Sequence, residues 1–201
     1  QVPIGVGLAF SHKYKNDGYV SMTYLGDGAV NQGQVYESFN MAALWKLPVV
    51  FIIENNKYGM GTSVTRASAG RSLAERGKAY GIPGIEVDGM NVFSVREAGK
   101  EALDYSRNGK GPFILEMKTY RYRGHSMSDP AKYRARSEVD AVRQQKDCIE
   151  NLREILQENK VTDDELKSFD TEIKSTVSKA AEFALESDLP DKSELLTDIY
   201  L

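Results

Sequence analysis

An α/β fold, with a parallel sheet covered by helices on both faces, is predicted by three observations. Apolar runs of strand length alternate with helix-length amphipathic segments over the first two thirds of the chain. Two of those runs, Val49-Val50-Phe51-Ile52-Ile53 and the stretch Pro112 to Thr119, are nearly continuous in apolar residues, the signature of strands buried on both sides. The final third loses all strand signal and becomes two charged amphipathic helices. The chain therefore divides into an α/β body over residues 1–137 and a C-terminal helical segment over residues 138–201.

Each element follows from local chemistry. Small and apolar residues predict a short helix over residues 4–12, and the aromatic and β-branched stretch from Tyr19 to Leu25 predicts a strand. Gly26-Asp27-Gly28-Ala29 breaks that strand. Val35, Phe39, Ala42, Ala43 and Trp45 recur near a helical period, and Pro48 ends the helix. A strand follows, then a Gly-, Ser- and Thr-rich loop from Asn55 to Gly70. A helix from Leu73 to Tyr80 and a short strand Ile85-Glu86-Val87 come next. The helix from Phe93 to Arg107 has Asn91 or Ser94 available as its cap. After the strand that begins at Pro112, a polar loop runs from Tyr120 to Ser137. The terminal helices are predicted over Val139–Glu158 and Asp163–Glu186, with Thr162 and Glu165 placed to cap the second.

Composition narrows the function. The chain has 201 residues, 41% hydrophobic and 27% charged, which is ordinary globular composition. A net charge of −3 gives no footprint for general nucleic-acid or acidic-membrane binding. No apolar run reaches the roughly 20 residues of a membrane helix. Cys148 is the single cysteine, so no intrachain disulfide is possible, which fits a reducing compartment. The only histidines are His12 and His125, so there is no cluster for zinc. Gly5-Val6-Gly7 and Gly59-Met60-Gly61 lack the third glycine of a dinucleotide fingerprint, and no P-loop is present. Because the chain opens on Gln1 with no signal-peptide pattern, it reads as a piece of a longer protein.

The informative pattern lies at two strand ends. Ligands of open parallel sheets bind beyond the carboxyl ends of the strands. Gly26-Asp27-Gly28 ends one strand and Glu54-Asn55-Asn56-Lys57-Tyr58-Gly59 ends the next, within one βαβ unit. Taken singly, Asp-Gly and Asn-Asn are ordinary turn formers. Jointly they place the Asp27 carboxylate and the Asn56 amide oxygen at one sheet edge. That donor pair suits Mg²⁺ when a phosphorylated ligand, water and a nearby backbone carbonyl complete the octahedron. Gly26 and Gly28 allow a diphosphate to approach the backbone.

Gly26-Asp27-Gly28 with Asn55-Asn56 resembles the signature of thiamine-diphosphate enzymes. The longer stretches Gly26–Gly33, Asn40–Pro48 and Tyr120–Pro130 resemble alpha subunits of the 2-oxo acid dehydrogenases, specifically the pyruvate type. The resemblance covers essentially the whole chain. It implies a thiamine-diphosphate-binding fold whose front part, with the aminopyrimidine pocket, precedes Gln1. It implies thiamine diphosphate and Mg²⁺ as cofactors, with Asp27, Asn56 and the Tyr58 carbonyl as metal ligands. Gly28 and Ala29 are expected to face the diphosphate. His125 is expected at the mouth of the site, both contacting the cofactor and serving catalysis as a proton relay.

The implied reaction is oxidative decarboxylation of pyruvate with transfer of the acetyl unit to a lipoyl group. The implied partners are a beta subunit, in a complex of two alpha and two beta chains, and dihydrolipoyl acetyltransferase. The carboxylate that activates the aminopyrimidine is expected from the beta subunit, so neither Glu37 nor Glu54 is assigned that role. Acetoin and branched-chain 2-oxo acid dehydrogenases are the near alternatives. A fragment inactive without its partner and front segment is another.

Ser126 and Ser63 align with regulatory phosphorylation sites of the animal enzymes. The wording Ala131-Lys132-Tyr133-Arg134 lacks a third site and looks bacterial, which argues against kinase control and for the bacterial cytoplasm, with the mitochondrial matrix as alternative. Leu185, Leu189, Leu195, Leu196, Ile199 and Tyr200 are expected to dock the end of the chain on a partner.

Overall fold

The computed structural model describes residues 1–70 and 72–198. Ile199 and Tyr200, named above as docking residues, lie outside them. The chain forms two compact units, Gln1–Leu152 and Arg153–Leu201.

In the first unit a helix, α1 (Val2–Lys15), precedes an edge strand, β1 (Ser21–Gly26). Helix α2 (Gly33–Leu44) leads to β2 (Val49–Asn55). A two-residue hairpin follows, β3 (Tyr58–Gly59) with β4 (Thr62–Ser63), and a single turn α3 (Val64–Ala67). A 3₁₀ segment, Ala74–Tyr80, precedes β5 (Gly84–Asp88), α4 (Val92–Arg107) and β6 (Phe113–Lys118). Helix α5 (Arg136–Lys146) follows the long polar loop, and α6 (Cys148–Glu158) begins in this unit and continues past its end at Leu152.

The four long strands make one parallel sheet in the order β1-β2-β6-β5. This is the predicted α/β architecture. Alternation along the central strands builds two apolar layers. Val49, Phe51, Ile53 and Ile114 face α1, α2 and the 3₁₀ segment, meeting Val6, Ala9, Val35, Phe39 and Leu73. Val50, Ile52, Phe113, Leu115 and Met117 face α4, meeting Ala98 and Ala102. The first layer leaves no room for error where α1 crosses β1. A Cβ added to Gly5 would lie 2.0 Å from Thr23 Oγ1, so only glycine permits this approach.

Several boundaries differ from the sequence reading. The expected helix over 139–158 is two helices, parted at Asp147, whose Oδ1 accepts the N–H groups of Ile149 and Glu150 and so starts a new helix. The loop from Asn55 to Gly70 contains the β3–β4 hairpin, invisible to periodicity because each strand has two residues. The segment after Leu73 is 3₁₀ rather than α-helical. Asn91, not Ser94, caps α4, accepting from Phe93 and Ser94 N–H.

In the second unit, α7 (Asp163–Glu186) begins with the predicted capping box. The Thr162 hydroxyl accepts the Glu165 N–H, while the Glu165 carboxylate accepts the Thr162 N–H at 2.8 Å. Arg153 pairs with Asp170 at 3.3 Å. Leu185, Leu189, Leu195 and Leu196 are all exposed. No helix among the described residues is long and apolar enough to cross a membrane.

Candidate functional site

Strand register sets the site. Gly26 of β1 pairs with Glu54 of β2, so the chain leaves both strands at one level and Asp27 emerges beside Asn55. The hairpin then folds the turn after β2 back over the tip of β1. A methyl group placed on Gly59 would lie 3.4 Å from the Gly28 Cα and 3.7 Å from Asp27 Oδ2. Two backbones thus meet at the Asp27 carboxylate.

Asp27 is 3% exposed. Burial pushes its carboxyl above the ordinary aspartate value, outweighing the opposing effects of its own backbone N–H and the Arg121 charge. Asn56, half-buried, lies one residue beyond β2, and its Oδ1 accepts the Tyr58 N–H at 3.4 Å. Gly28 is exposed, and Ala29 opens a 3₁₀ turn whose Val30 is buried. Glu37 and Glu54 are both exposed.

The loop after β6 closes on this edge through Arg121. Its guanidinium donates to the Tyr58 carbonyl at 3.0 Å, to the Met60 carbonyl at 2.6 Å and to the Tyr133 hydroxyl at 2.8 Å. His125 is exposed, with Nδ1 3.5 Å from Arg121 Nη1 and its backbone N–H donating to Asp129 at 2.7 Å. Asp129 also accepts from Tyr133 at 2.9 Å and the Ala131 N–H at 2.8 Å. The His125 and Ala131 N–H groups are the main reason its carboxyl lies below the ordinary value. One guanidinium therefore joins the Tyr58 carbonyl, the loop bearing His125 and the electrostatic field at Asp27. Ser126 is exposed and bonds Ser128 at 3.1 Å, while Ser63 lies 3.2 Å from Thr65.

The expected donors are the buried Asp27 carboxylate, the Asn56 amide oxygen, here bonded to the Tyr58 N–H, and the Tyr58 carbonyl, here bonded to Arg121. The set is all oxygen, as a hard divalent ion requires. Among the described residues no three His, Cys, Asp or Glu side chains cluster as a metal cage. Gly28 and Gly59 meet backbone to backbone beside the Asp27 carboxylate. The residues fit a magnesium diphosphate.

Sequence pattern alone misses two residues that hydrogen-bond across long sequence separations. Arg121 reads only as part of a locally basic loop. Glu116 reads as a polar residue within a strand, although a carboxylate inside the run Phe113-Ile114-Leu115-Glu116-Met117 is itself a signal.

Comparison with known proteins gives the family. The chain is 57% identical over 202 residues to a protein of Rhizobium meliloti named pyruvate dehydrogenase E1 component subunit alpha, covering all of this chain and 58% of that protein. It is 57% identical over 199 residues to the protein of the same name from Zymomonas mobilis, covering 99% of this chain and 56% of the relative. A mitochondrial counterpart from Dictyostelium discoideum is 53% identical over 203 residues, covering 100% of this chain and 53% of that protein. The chain spans about half the length of these curated relatives. The family described as dehydrogenase E1 component matches residues 1–193, and the chain belongs to that family.

Proposed function

We propose that this chain is the portion of a pyruvate dehydrogenase E1 alpha subunit that holds the diphosphate and metal end of thiamine diphosphate. The observation that carries the reading is the meeting of Asp27, Gly28 and the Tyr58–Gly59 turn at one sheet edge, with a buried carboxylate whose pKa is raised by desolvation. When bound, thiamine diphosphate supplies the electron sink for decarboxylating a 2-oxo acid.

The chain's residues do the holding. The Asp27 carboxylate, the Asn56 side chain and the Tyr58 carbonyl bind Mg²⁺. Gly28 and Ala29 face the diphosphate. His125 reaches the mouth of the site, where a neutral imidazole donates to the diphosphate or relays a proton during acyl transfer. Tyr58 presents its carbonyl to Arg121 in this structure. Loading the metal therefore requires the guanidinium to yield that oxygen or share it.

In the whole enzyme the substrate is pyruvate and the acceptor is a lipoyl group. The beta subunit, two per two alpha chains, supplies the carboxylate for the aminopyrimidine, and dihydrolipoyl acetyltransferase receives the acetyl unit. The compartment is the bacterial cytoplasm, with the mitochondrial matrix as the alternative, the relatives including proteins of both kinds.

Calorimetry on the full-length subunit assembled with its beta partner tests the site. Thiamine diphosphate with Mg²⁺ is expected to bind wild type, and Asp27→Asn is expected to bind neither measurably. Normal binding by Asp27→Asn overturns the assignment. Carbon dioxide release from pyruvate exceeding that from 3-methyl-2-oxobutanoate supports the substrate, and the reverse order overturns it. His125→Ala is expected to slow lipoyl acetylation more than decarboxylation. Equal loss in both half-reactions removes the relay role.

A further inference from the structure

Glu116 has no direct part in the site, yet it is tied to it. It lies on β6, wholly inaccessible to solvent, on the same sheet face as Ile114 and level with Ile53 of β2. Its Oε1 accepts from Asn55 Nδ2 at 2.7 Å and from Lys118 Nζ at 3.0 Å. Its Oε2 accepts the backbone N–H of Leu73 at 2.7 Å, that of Ala74 at 2.9 Å, and Ser72 Oγ at 3.2 Å. Among the described residues, each polar group in contact with this carboxylate donates to it.

That saturation fixes the neighbouring amide. Because Asn55 Nδ2 must face Glu116, Asn55 Oδ1 faces the turn, where it accepts the Lys57 N–H at 3.1 Å. Lys57 has a φ of 74°, a left-handed conformation uncommon for a residue with a side chain. The bond from Asn55 Oδ1 is the kind of Asx contact that holds such a turn. Asn56 and Tyr58 flank Lys57.

We infer that Glu116 is a positioning residue for the metal- and diphosphate-binding turn, acting through the side-chain amide of Asn55. The inference rests on the reading of Asn56 and Tyr58 as ligands. Its logic is the parity of donors and acceptors. A glutamine at 116 has one acceptor and one donor end. If Nε2 faces Leu73 and Ala74, hydrogen opposes hydrogen in a buried cluster, where unmet polar groups are costly. If Nε2 faces Asn55, the conflict is relieved only when the Asn55 amide turns over. Asn55 Nδ2 then points at the Lys57 N–H, and the turn loses its support. Lys118 has an alternative partner in Glu86 at 3.4 Å, so the conflict passes to Asn55.

A reciprocal exchange tests this in the full-length assembled enzyme. The variants are Glu116→Gln, Asn55→Asp and the two combined. In the combined variant one oxygen of the introduced carboxylate accepts from the introduced amide nitrogen, and its other oxygen accepts the Lys57 N–H. The introduced amide oxygen keeps the Leu73 and Ala74 N–H groups, and the charge of the pair is unchanged.

The first readout is hydrogen exchange of the segment 55–60 without ligands. It is expected to quicken in both single variants and to return toward wild type in the double. The second is Mn²⁺ binding in the presence of thiamine diphosphate, followed by electron paramagnetic resonance. Removing a partner that orients a metal ligand typically weakens the metal by about 10- to 100-fold, and both single variants are expected in that range. A simple electrostatic role predicts the opposite sign for Asn55→Asp, whose extra negative charge would tighten Mn²⁺.

Wild-type exchange and affinity in Glu116→Gln overturn the inference. So does a double variant no better than either single, or a fall in melting temperature with Mn²⁺ affinity unchanged. If Glu116→Gln does not assemble, Asn55→Asp against the double makes the same comparison. The exchange arm needs no ligand, so it judges the relay alone, whereas failure of wild type to bind Mn²⁺ overturns the reading of the site.

Discussion

Two carboxylates are buried near the same sheet edge, and their surroundings treat them in opposite ways. At Asp27, on the tip of β1, burial wins and the carboxyl rises above its ordinary value. At Glu116, inside β6, burial pushes the same way, but hydrogen bonds from Asn55, Lys118 and the Ala74 N–H together outweigh it and leave the carboxyl below its ordinary value. The difference separates a carboxylate whose burial is offset by the fold from one whose burial is not. Glu116 has committed its lone pairs to donors of the fold. At Asp27 the opposing contacts do not offset desolvation.

The largest test of that contrast is Asp27→Asn. Metal binding is expected to weaken by more than about 100-fold, beyond the range seen when only an orienting partner is lost. The unloaded protein is expected to melt no lower, and at neutral pH higher, because a desolvated charge is gone. A lower melting temperature would show that Asp27, too, serves the fold.

Glu116→Leu should do the reverse damage. It fills much of the volume but leaves Asn55 Nδ2 and the Leu73 and Ala74 N–H groups unpaired, at about 1–3 kcal/mol each. Thermal or urea unfolding is expected to show a loss approaching the whole margin of a typical domain, roughly 5–15 kcal/mol. A loss under about 1 kcal/mol would mean that those donors find other partners.

Acid sharpens the comparison further. The folded-state pKa of Glu116 is depressed, so its contribution is complete above the unfolded value and is lost as pH falls through the folded value. The melting-temperature gap between wild type and Glu116→Gln should therefore be full at neutral pH and narrow on acidification through that window. A gap that widens in acid contradicts the assignment. The smallest effect is expected for Ser72→Ala, which removes the longest of the bonds to Glu116, 3.2 Å, and should cost about 1 kcal/mol in denaturant unfolding with metal affinity unchanged.

Much of this is legible in the sequence, because it follows from pattern. The run Val49 to Ile53 announces a strand buried on both faces, and the Thr162–Glu165 spacing announces its capping box. Asp27 and Asn56 are legible as strand-end residues because each follows a strand, and the β1–β2 register ends both strands at one level. What escapes depends on contacts across long sequence separation. Glu116 meets Ser72 and Ala74 more than forty positions away, and Arg121 meets Met60 sixty-one positions away. Periodicity cannot report such pairs. The break at Asp147 escapes for another reason: an aspartate capping the next helix looks like any polar residue on a solvated face.

The Arg121 guanidinium gives the loop bearing His125 a direct grip on the backbone oxygen of Tyr58. Whatever swings that loop outward tugs the carbonyl with it, and whatever seizes the carbonyl loosens the loop. The strand-tip carbonyl and the histidine arm are thereby tethered through a single side chain.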